Sequence, residues 1–167
     1  LGIYDFDNDG WKDLFFALAH LMQLDRYLGR DAALPNRVQR NVAGTQFEDV
    51  SAGAGADFQL PAAHRGAAFA DFDGDGLVDA VVSVVNGPAK LFHNITATNS
   101  HWLALRLRGV RSNRMGIGAV VHVRSAGRDQ YNQATTAVGY ASSSEPLVRF
   151  GLAGSAVAEL VEIRWPG

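Results

Sequence analysis

Short apolar runs separated by turn-forming residues recur along the whole 167-residue chain. Apolar and charged residues alternate most plainly at 102–108, as they do in half-buried strands. The 18 glycines favour many turns. Residues 18–28 fit a helix or a loop equally well, because leucines at helical spacing are soon followed by Gly29 and Pro35. The pattern predicts an all-β protein with strands at 2–5, 13–19, 38–41, 46–50, 65–70, 79–85, 89–94, 102–108, 116–125, 129–136, 147–150 and 159–165.

Two acidic segments of matching pattern interrupt the strands, 66 positions apart. Each has aspartates at relative positions 1, 3, 5 and 9 and a glycine at position 6. Calcium binds six to eight oxygen ligands in flexible geometry, and glycine permits the sharp turn. The carbonyl oxygen of position 7 is a further candidate ligand. The sequence therefore predicts two calcium sites, one formed by Asp5, Asp7, Asp9, Trp11 and Asp13 and the other by Asp71, Asp73, Asp75, Leu77 and Asp79.

Two other interpretations of these segments are open to the same residues. The first is a pair of Asp/Gly surface turns without an ion, although four carboxylates this close repel one another. The second is an EF-hand, which needs a bidentate glutamate at position 12 and flanking helices. Phe16 and Val82 occupy that position, and the flanks are short, apolar and β-branched on the downstream side. The segments are therefore predicted to be turns of β-hairpins.

The charge of the chain changes sign near residue 100. Residues 1–100 carry 13 acidic and 7 basic side chains, whereas residues 101–167 carry 4 acidic side chains and 8 arginines. This change predicts two domains, 1–96 and 101–167. The arginines are scattered, which favours a solvated face over a nucleic-acid groove. No run of about 18 apolar residues predicts a transmembrane segment, and without cysteine the chain forms no disulfides.

The acidic turns belong to a repeated unit of about 60 residues with several short strands, which is typical of a β-propeller. Two such units do not close a ring, which needs about four to eight blades. The predicted fold is therefore a partial propeller followed by a small antiparallel β domain. We expect the chain to be part of a longer protein, and the remaining blades or another chain to complete the ring.

The Asp-x-Asp-x-Asp-Gly-x-x-Asp pattern, with Gly66 and Phe69 ahead of the second copy, resembles FG-GAP/VCBS repeats. The second half resembles the ASPIC/UnbV domain, and the order of the two is similar to that of bacterial relatives of cartilage acidic protein. Met115 departs from the acidic residue that the family often has there, and 17–20 replaces a more polar turn. The stretches that carry the second resemblance are 99–103, 111–114, 116–119, 139–140, 150–152 and 162–166.

The resemblance implies a calcium-binding protein that is secreted or otherwise outside the cytoplasm, in the periplasm or at the cell surface. It implies a non-enzymatic role in binding, adhesion or scaffolding, with a protein or glycan ligand and no nucleic acid. One alternative is an accessory or catalytic protein of an enediyne-type biosynthetic pathway, with its active site on missing parts of the chain or at the domain junction. Another is a structural end-cap of a larger assembly.

Residue patterns of common enzymes are missing from the sequence. Residues 116–119 lack the third glycine of a dinucleotide site and are interpreted as close packing in a strand. The serines at 142–144 do not form a nucleophile elbow. Isolated spacing makes each of the five histidines a surface or packing residue rather than a ligand. The loop aspartates, if metal-bound, stay ionised and are poor proton donors.

Overall fold

The structure, a computed structural model, describes residues 1–20 and 33–167, and most of the ambiguous segment 18–28 lies outside these ranges. All named strand pairs are antiparallel, and no α-helix occurs within the described ranges. The strands are β1 (Gly2–Tyr4), β2 (Asp13–Phe16), β3 (Arg37–Val42), β4 (Gln46–Asp49), β5 (His64–Ala70), β6 (Asp79–Val84), β7 (Lys90–Phe92), β8 (His101–Arg106), β9 (Val120–Ser125), β10 (Arg128–Gln133), β11 (Leu147–Ala153) and β12 (Leu160–Arg164). The all-β prediction is confirmed.

The first seven strands form two sheets, of order β1-β2-β3-β4 and β5-β6-β7. Tyr4 pairs with Asp13 at the end of the first hairpin, and Ala70 pairs with Asp79 at the end of the other. Each acidic segment is therefore the turn of a hairpin, as its flanking residues predict. Short 3₁₀ turns at Ser51–Gly53 and Asp57–Gln59 lie in the irregular segment between the sheets.

An aromatic core joins these two sheets. The ring of Phe69 on β5 lies 4.7 Å from Tyr4 and 5.3 Å from Phe15, measured between centroids. Phe58 contacts Phe15 from the 3₁₀ turn, at 5.6 Å and nearly edge-on. Aromatic pairs in such geometries contribute about 0.5–1.5 kcal/mol each beyond the burial of their area. Phe69 is only 1% exposed, so the two repeats depend on each other for their core.

The second half has its own core between the pair β11-β8 and the sheet β10-β9-β12. Alternation in β9 directs Val121 and Val123 inward, where both are fully buried, and leaves His122 and Arg124 on the other face. Phe150 on β11 is 2% exposed and belongs to the same core. Alternate residues of β9 thus contribute to the core, as alternation predicts for a half-buried strand.

No named strand of 1–94 pairs with a named strand of 101–167 in the described parts of the chain. Residues 95–99, which connect the halves, are exposed. The division into 1–96 and 101–167 stays a prediction, and cleavage at 95–101 in limited proteolysis, with both halves protected, would support it. No helix among the described residues is long and apolar enough to cross a membrane.

The strand predicted at 116–125 begins too early, because the structure has a turn at 116–119. Gly116 and Gly118 have φ values of 68° and 91°, in the left-handed region, and β9 begins at Val120. A Cβ at Gly116 would lie 2.7 Å from Cβ of Leu107 and 3.3 Å from the Trp165 ring. The segment is therefore a closely packed turn, because extended backbone does not accommodate these φ values.

Candidate metal centre

The first acidic turn is shaped by its own carboxylates. Asp5 Oδ1 accepts the N–H of Asp9 at 3.1 Å, and Asp5 Oδ2 accepts the N–H of Gly10 at 2.7 Å. Asp7 Oδ1 also accepts the Asp9 N–H at 3.2 Å, and Asp9 Oδ1 accepts that of Trp11 at 2.7 Å. The short side chain of aspartate is suited to such local bonds. The alternating aspartates therefore fold the loop around a common centre.

The second turn repeats this network at the equivalent positions. Asp71 Oδ1 accepts the N–H of Asp75 at 3.1 Å, and Asp71 Oδ2 accepts that of Gly76 at 2.9 Å. Asp73 Oδ1 lies 3.2 Å from the Asp75 nitrogen, and Asp75 Oδ1 lies 2.8 Å from the Leu77 nitrogen. The two turns thus share a hydrogen-bond pattern as well as a sequence pattern.

The last aspartate of each loop ties the turn to a neighbouring strand. Asp13 Oδ2 accepts the N–H of Phe6 at 2.9 Å, and Asp13 Oδ1 accepts that of Asn41 at 2.8 Å. Asp79 makes the equivalent bonds to Phe72 and to Asn94, at 2.9 and 2.7 Å. Both aspartates are buried, with 3% and 2% exposure. Each is therefore held in place from two sides.

Three carboxylates converge in each loop. One oxygen from each of Asp5, Asp7 and Asp13 lies within 4.8 Å of the others, and Asp71, Asp73 and Asp79 form the equivalent group. Carboxylate oxygens are the ligands that hard divalent cations prefer. Both clusters can therefore hold a metal ion, and the donor set suits one that binds oxygen only.

Burial makes ionisation of the carboxylates in the first cluster unfavourable. Desolvation raises the pKa of Asp5 to about 8, and nearby Asp9, Asp7 and Asp13 raise it further, against the lowering effect of the Gly10 N–H. Desolvation also raises the pKa of Asp13 to about 6, although the N–H groups of Asn41 and Phe6 oppose it. A cation bound among these oxygens would favour their ionised forms. The local chemistry of this cluster therefore fits a metal ion.

The second cluster has an arginine and a histidine as neighbours. Arg149 Nη2 lies 3.4 Å from Asp71 Oδ2, and these side chains are 14% and 3% exposed. His93 Nε2 lies 2.9 Å from Asp73 Oδ2. Desolvation alone would raise the pKa of Asp73, but the Asp75 N–H and His93 outweigh it and lower the pKa. Part of the negative charge of this loop is thus balanced by the protein.

Both loops contact the second half of the chain. Arg128 donates to the carbonyl of Asp9 at 2.9 Å, and its guanidinium lies 4.8 Å from the centre of the Trp11 ring. The N–H of Ala153 donates to the carbonyl of Asn8 at 2.9 Å. A Cβ at Gly151 would lie 2.0 Å from Asp5 Oδ2. The first loop therefore packs directly against β10 and β11.

The two loops also contact each other. Asn8 is buried, adopts φ 58°, and donates from Nδ2 to the carbonyl of Gly76 at 3.1 Å. Asn94 Nδ2 donates to the carbonyls of Phe6 and Val78, at 2.8 and 3.2 Å. These two side-chain amides therefore connect the backbones of the two loops.

The sequence predicts ten ligand residues, and their direct ligation stays a prediction. Asp9 lies outside the first converging group, and its carboxylate accepts the Trp11 N–H. Asp75 belongs to a second grouping in its loop, with Asp73 and His93. The N–H groups of Trp11 and Leu77 donate to the carboxylates of Asp9 and Asp75. A structure with a bound ion would show whether the carbonyl oxygens of Trp11 and Leu77 are ligands.

Several residues of the site are missing from the sequence-based ligand set. His93 is exposed, as predicted for a surface residue, and its ring also lies against Asp73. Asn41 lies in β3 and Asn94 lies just after β7, the second strand after each acidic loop. Each follows a basic or imidazole side chain, and this recurrence is a usable signal. Arg128, Arg149 and Gly151 come from the second half, and no local pattern marks them.

Hairpins with equivalent acidic turns, packed in successive antiparallel sheets, define a β-repeat protein with candidate metal loops. Comparison with protein families matches residues 5–82 to the FG-GAP-like repeat and residues 109–167 to ASPIC and UnbV. The two matches cover more than four fifths of the chain, which therefore carries an FG-GAP-like repeat segment followed by an ASPIC/UnbV domain. The repeat implies that the first sheets are propeller blades, and they form no closed ring among the described residues. No curated protein matches the chain.

Proposed function

We propose that the chain is a calcium-stabilised, non-enzymatic module for binding, adhesion or scaffolding outside the cytoplasm. The observation that carries the proposal is the pair of equivalent loops, each with three carboxylates that converge within 4.8 Å. Calcium accepts an all-oxygen set of irregular geometry, whereas magnesium demands a small octahedral site. Calcium is thus the ion that these loops fit best.

A structural role for the ion follows from the positions of the ligands. Asp13 and Asp79 are buried and accept backbone N–H groups that fix neighbouring strands. A cation there offsets the repulsion that opposes each turn, so the hairpin ends become rigid. The same contacts occupy the carboxylates and keep them ionised, which makes proton transfer by them unfavourable.

The expected affinity supports a site of action outside the cytoplasm. Neither loop has the bidentate glutamate of an EF-hand, since Phe16 and Val82 stand at that position. A dissociation constant on the order of 10⁻⁴–10⁻³ M is typical of extracellular calcium modules. Such a site fills only where calcium is abundant, in secreted, periplasmic or surface proteins.

The partner in this proposal is a protein or glycan, and the propeller ring is completed by further blades or another chain. Exposed apolar side chains on the repeats support a missing neighbour. Phe72 is 55% exposed although the equivalent Phe6 packs against Phe15 and Phe69. Leu91 on β7 is 63% exposed. An adjoining blade would bury both.

A second candidate function is supported by a cleft between the halves. Its volume is about 320 Å³, within the size range of small-molecule sites. Lys12, Gln130, Asn132 and Glu145 contribute polar groups to its lining. An accessory or catalytic protein of a biosynthetic pathway would use such a cleft. Further repeats and a signal peptide in the surrounding reading frame favour the binding module, whereas a catalytic domain favours this alternative.

Thermal unfolding tests the role of calcium. A ligand that binds only the native state stabilises it by about 2.7 kcal/mol per site at 100-fold excess over its dissociation constant. We therefore expect calcium to raise the melting temperature of chelated protein, and magnesium to raise it less. In Asp73→Ala, the part of this rise in melting temperature that comes from the second loop should be lost. Asp57→Ala changes an exposed aspartate outside the loops and should behave as wild type.

Identical melting curves with chelator and with calcium would contradict the proposal. So would an equal response of Asp73→Ala and wild type, or a lost response in Asp57→Ala. Magnesium that stabilises as much as calcium would exclude the calcium-type geometry.

A further inference from the structure

The second half of the chain contacts both acidic loops at the glycine that makes the turn. Gly10 and Gly76 have φ values of 86° and 93°, in the left-handed region that glycine adopts readily. A Cβ at Gly10 would overlap the guanidinium group of Arg128. In the second loop, a Cβ at Gly76 would overlap the indole ring of Trp102. These two side chains therefore fit the loops only in their turned form.

In the first loop, the second half also contacts backbone carbonyls. The N–H of Ala153 donates to the carbonyl of Asn8 at 2.9 Å. Nη2 of Arg128 donates to the carbonyl of Asp9 at 2.9 Å. The direction of these carbonyls depends on the curvature of the loop, which Asp5 fixes by accepting the N–H of Asp9 at 3.1 Å. Both contacts therefore depend on the shape of a loop whose carboxylates form a candidate metal centre.

The contact surface of the first loop includes one of these carboxylates. A Cβ at Gly151 would overlap Oδ2 of Asp5 and would lie 2.6 Å from the carbonyl carbon of Asn8. The backbone of β11 therefore lies directly against the loop, with no space for a side chain between them. Asp5 converges with Asp7 and Asp13 within 4.8 Å. When these carboxylates separate, the surface that meets β11 changes with them.

A different set of contacts attaches the second half to the second repeat. The N–H of Glu145 donates to the carbonyl of Phe69 at 3.2 Å, and the N–H of Phe69 donates to Oγ of Ser144 at 3.0 Å. Phe69 lies in β5 and is 1% exposed. Arg149 lies 3.4 Å from Asp71 and supplies positive charge there without an ion. This attachment therefore does not need a bound cation.

We propose that calcium in the first loop controls whether the second half is held against that loop, and this inference rests on the proposed calcium function. With an ion, the converging carboxylates hold the turn, and the loop presents the carbonyls that Arg128 and Ala153 contact. Without an ion, repulsion between the carboxylates opens the loop and these contacts are lost, while the attachment to the second repeat remains. Such a coupling is reciprocal, so contact with the second half also raises the calcium affinity of the first loop.

Hydrogen exchange resolved to single amides tests the proposal in the unmodified chain. We expect calcium, relative to chelator, to slow exchange of the Ala153 N–H at least about tenfold more than that of Ala134, a factor typical of coupled sites. The N–H of Ala134 donates to Ala119 within the second half at 2.8 Å and reports general stabilisation. The N–H of Glu145, whose acceptor lies in the second repeat, should follow Ala134.

Calcium titration by calorimetry on the same sample separates this proposal from the proposed function. Equal slowing of Ala153 and Ala134 in a chain that binds calcium would overturn the control by calcium and leave the proposed function intact. Absence of binding heat would contradict both. Slowing of Glu145 as strong as that of Ala153 would show that the second half docks as one unit, and would overturn the distinction between its two attachments.

A substitution that conserves charge tests the reciprocal effect on affinity. Arg128→Lys keeps the positive charge but loses the planar fork that reaches Asp9 and lies over Trp11. In the background of Asp73→Ala, where the first loop is the remaining site, we expect Arg128→Lys to lower calcium affinity at least about fivefold. Arg111→Lys, at an exposed arginine with no ion pair among the described residues, is the control and should change nothing. Unchanged affinity in Arg128→Lys, or an equal loss in the control, would overturn the proposal.

Discussion

The two acidic loops have the same ligand pattern but different surroundings. In the first, Asp5 has no ion pair among the described residues and its pKa is raised to about 8 by burial. In the second, Arg149 contacts Asp71, and Asp73 and Asp75 are exposed. A bound cation is therefore needed more in the first loop, where burial opposes ionisation of Asp5 and no ion pair offsets it among the described residues. Equal sequence patterns do not make equal sites.

The largest expected effect comes from Gly151, which lies against the first loop. A Cβ there would lie 2.0 Å from Asp5 Oδ2 and 2.6 Å from the carbonyl carbon of Asn8. Backbone cannot yield as a flexible side chain does, so Gly151→Ala should destabilise the protein by about 3 kcal/mol. Urea unfolding measures this change. Gly154→Ala, at a position with open space, is the control, and an equal loss there would contradict the account.

Replacing the first aspartate of each loop with asparagine should have opposite effects on the stability of the protein in chelator. Above pH 8, Asp5→Asn loses one of two N–H acceptors but removes a buried charge that has no ion pair among the described residues, and the second effect is larger. The substitution should therefore stabilise the ion-free protein. Asp71→Asn removes the partner of Arg149 and should destabilise it. We expect about 1 kcal/mol in each direction. Denaturant unfolding of both variants with chelator measures it, and changes of the same sign would remove the distinction between the loops.

The first loop should make the ion-free protein sensitive to pH. Asp5 has a folded pKa of about 8, above the ordinary value of about 3.9, so its protonated form stabilises the native state. That stabilisation is complete below about pH 4 and is lost as pH rises through 8. Melting temperature should fall across this window more in wild type than in Asp5→Asn.

Saturating calcium should remove most of the pH difference between wild type and Asp5→Asn, because the ion keeps the loop carboxylates ionised. Asp71→Asn in chelator should retain the slope of wild type. A wild-type slope equal to that of Asp5→Asn would show that the Asp5 carboxyl titrates normally.

The smallest expected effect belongs to His93 in the second loop. Its ring and Asp73 are both exposed, and exposed pairs contribute little. His93→Gln should therefore change calcium affinity of the second site by less than about fivefold, measured by calorimetry. His101→Gln, an exposed histidine outside the loop, is the control. A loss of the second site in His93→Gln would make His93 a ligand.

Local patterns predict much of this molecule. Period-two alternation locates most strands, and the aspartate spacing with its glycine locates both hairpin turns, because these features depend on neighbours in the chain. Phe6 and Phe72 occupy equal positions of the two repeats but differ in environment. Phe6 lies in the aromatic core between the sheets, whereas Phe72 is 55% exposed.

The remaining features depend on contacts between distant parts of the chain. Arg128 reaches Asp9 across 119 residues, and Arg149 reaches Asp71 across 78. Arginine is common at surfaces, so its type gives no hint of these contacts. The position of Gly151 over Asp5 is equally non-local. Left-handed φ values at Gly116 and Gly118 end the alternation that made 116–119 look like strand.

The most direct test of the central claim is a calcium titration by calorimetry of the chelated protein. The account predicts two sites with tighter binding at the first loop, because burial opposes ionisation of Asp5 and Asp13 there and neither has an ion pair among the described residues. Asp5→Asn should leave only the weaker site, and Asp73→Ala only the tighter one. No binding heat up to about ten millimolar calcium, well above the affinity range of extracellular modules, would contradict the account. A tighter site that survives Asp5→Asn and disappears in Asp73→Ala would reverse the comparison of the two loops.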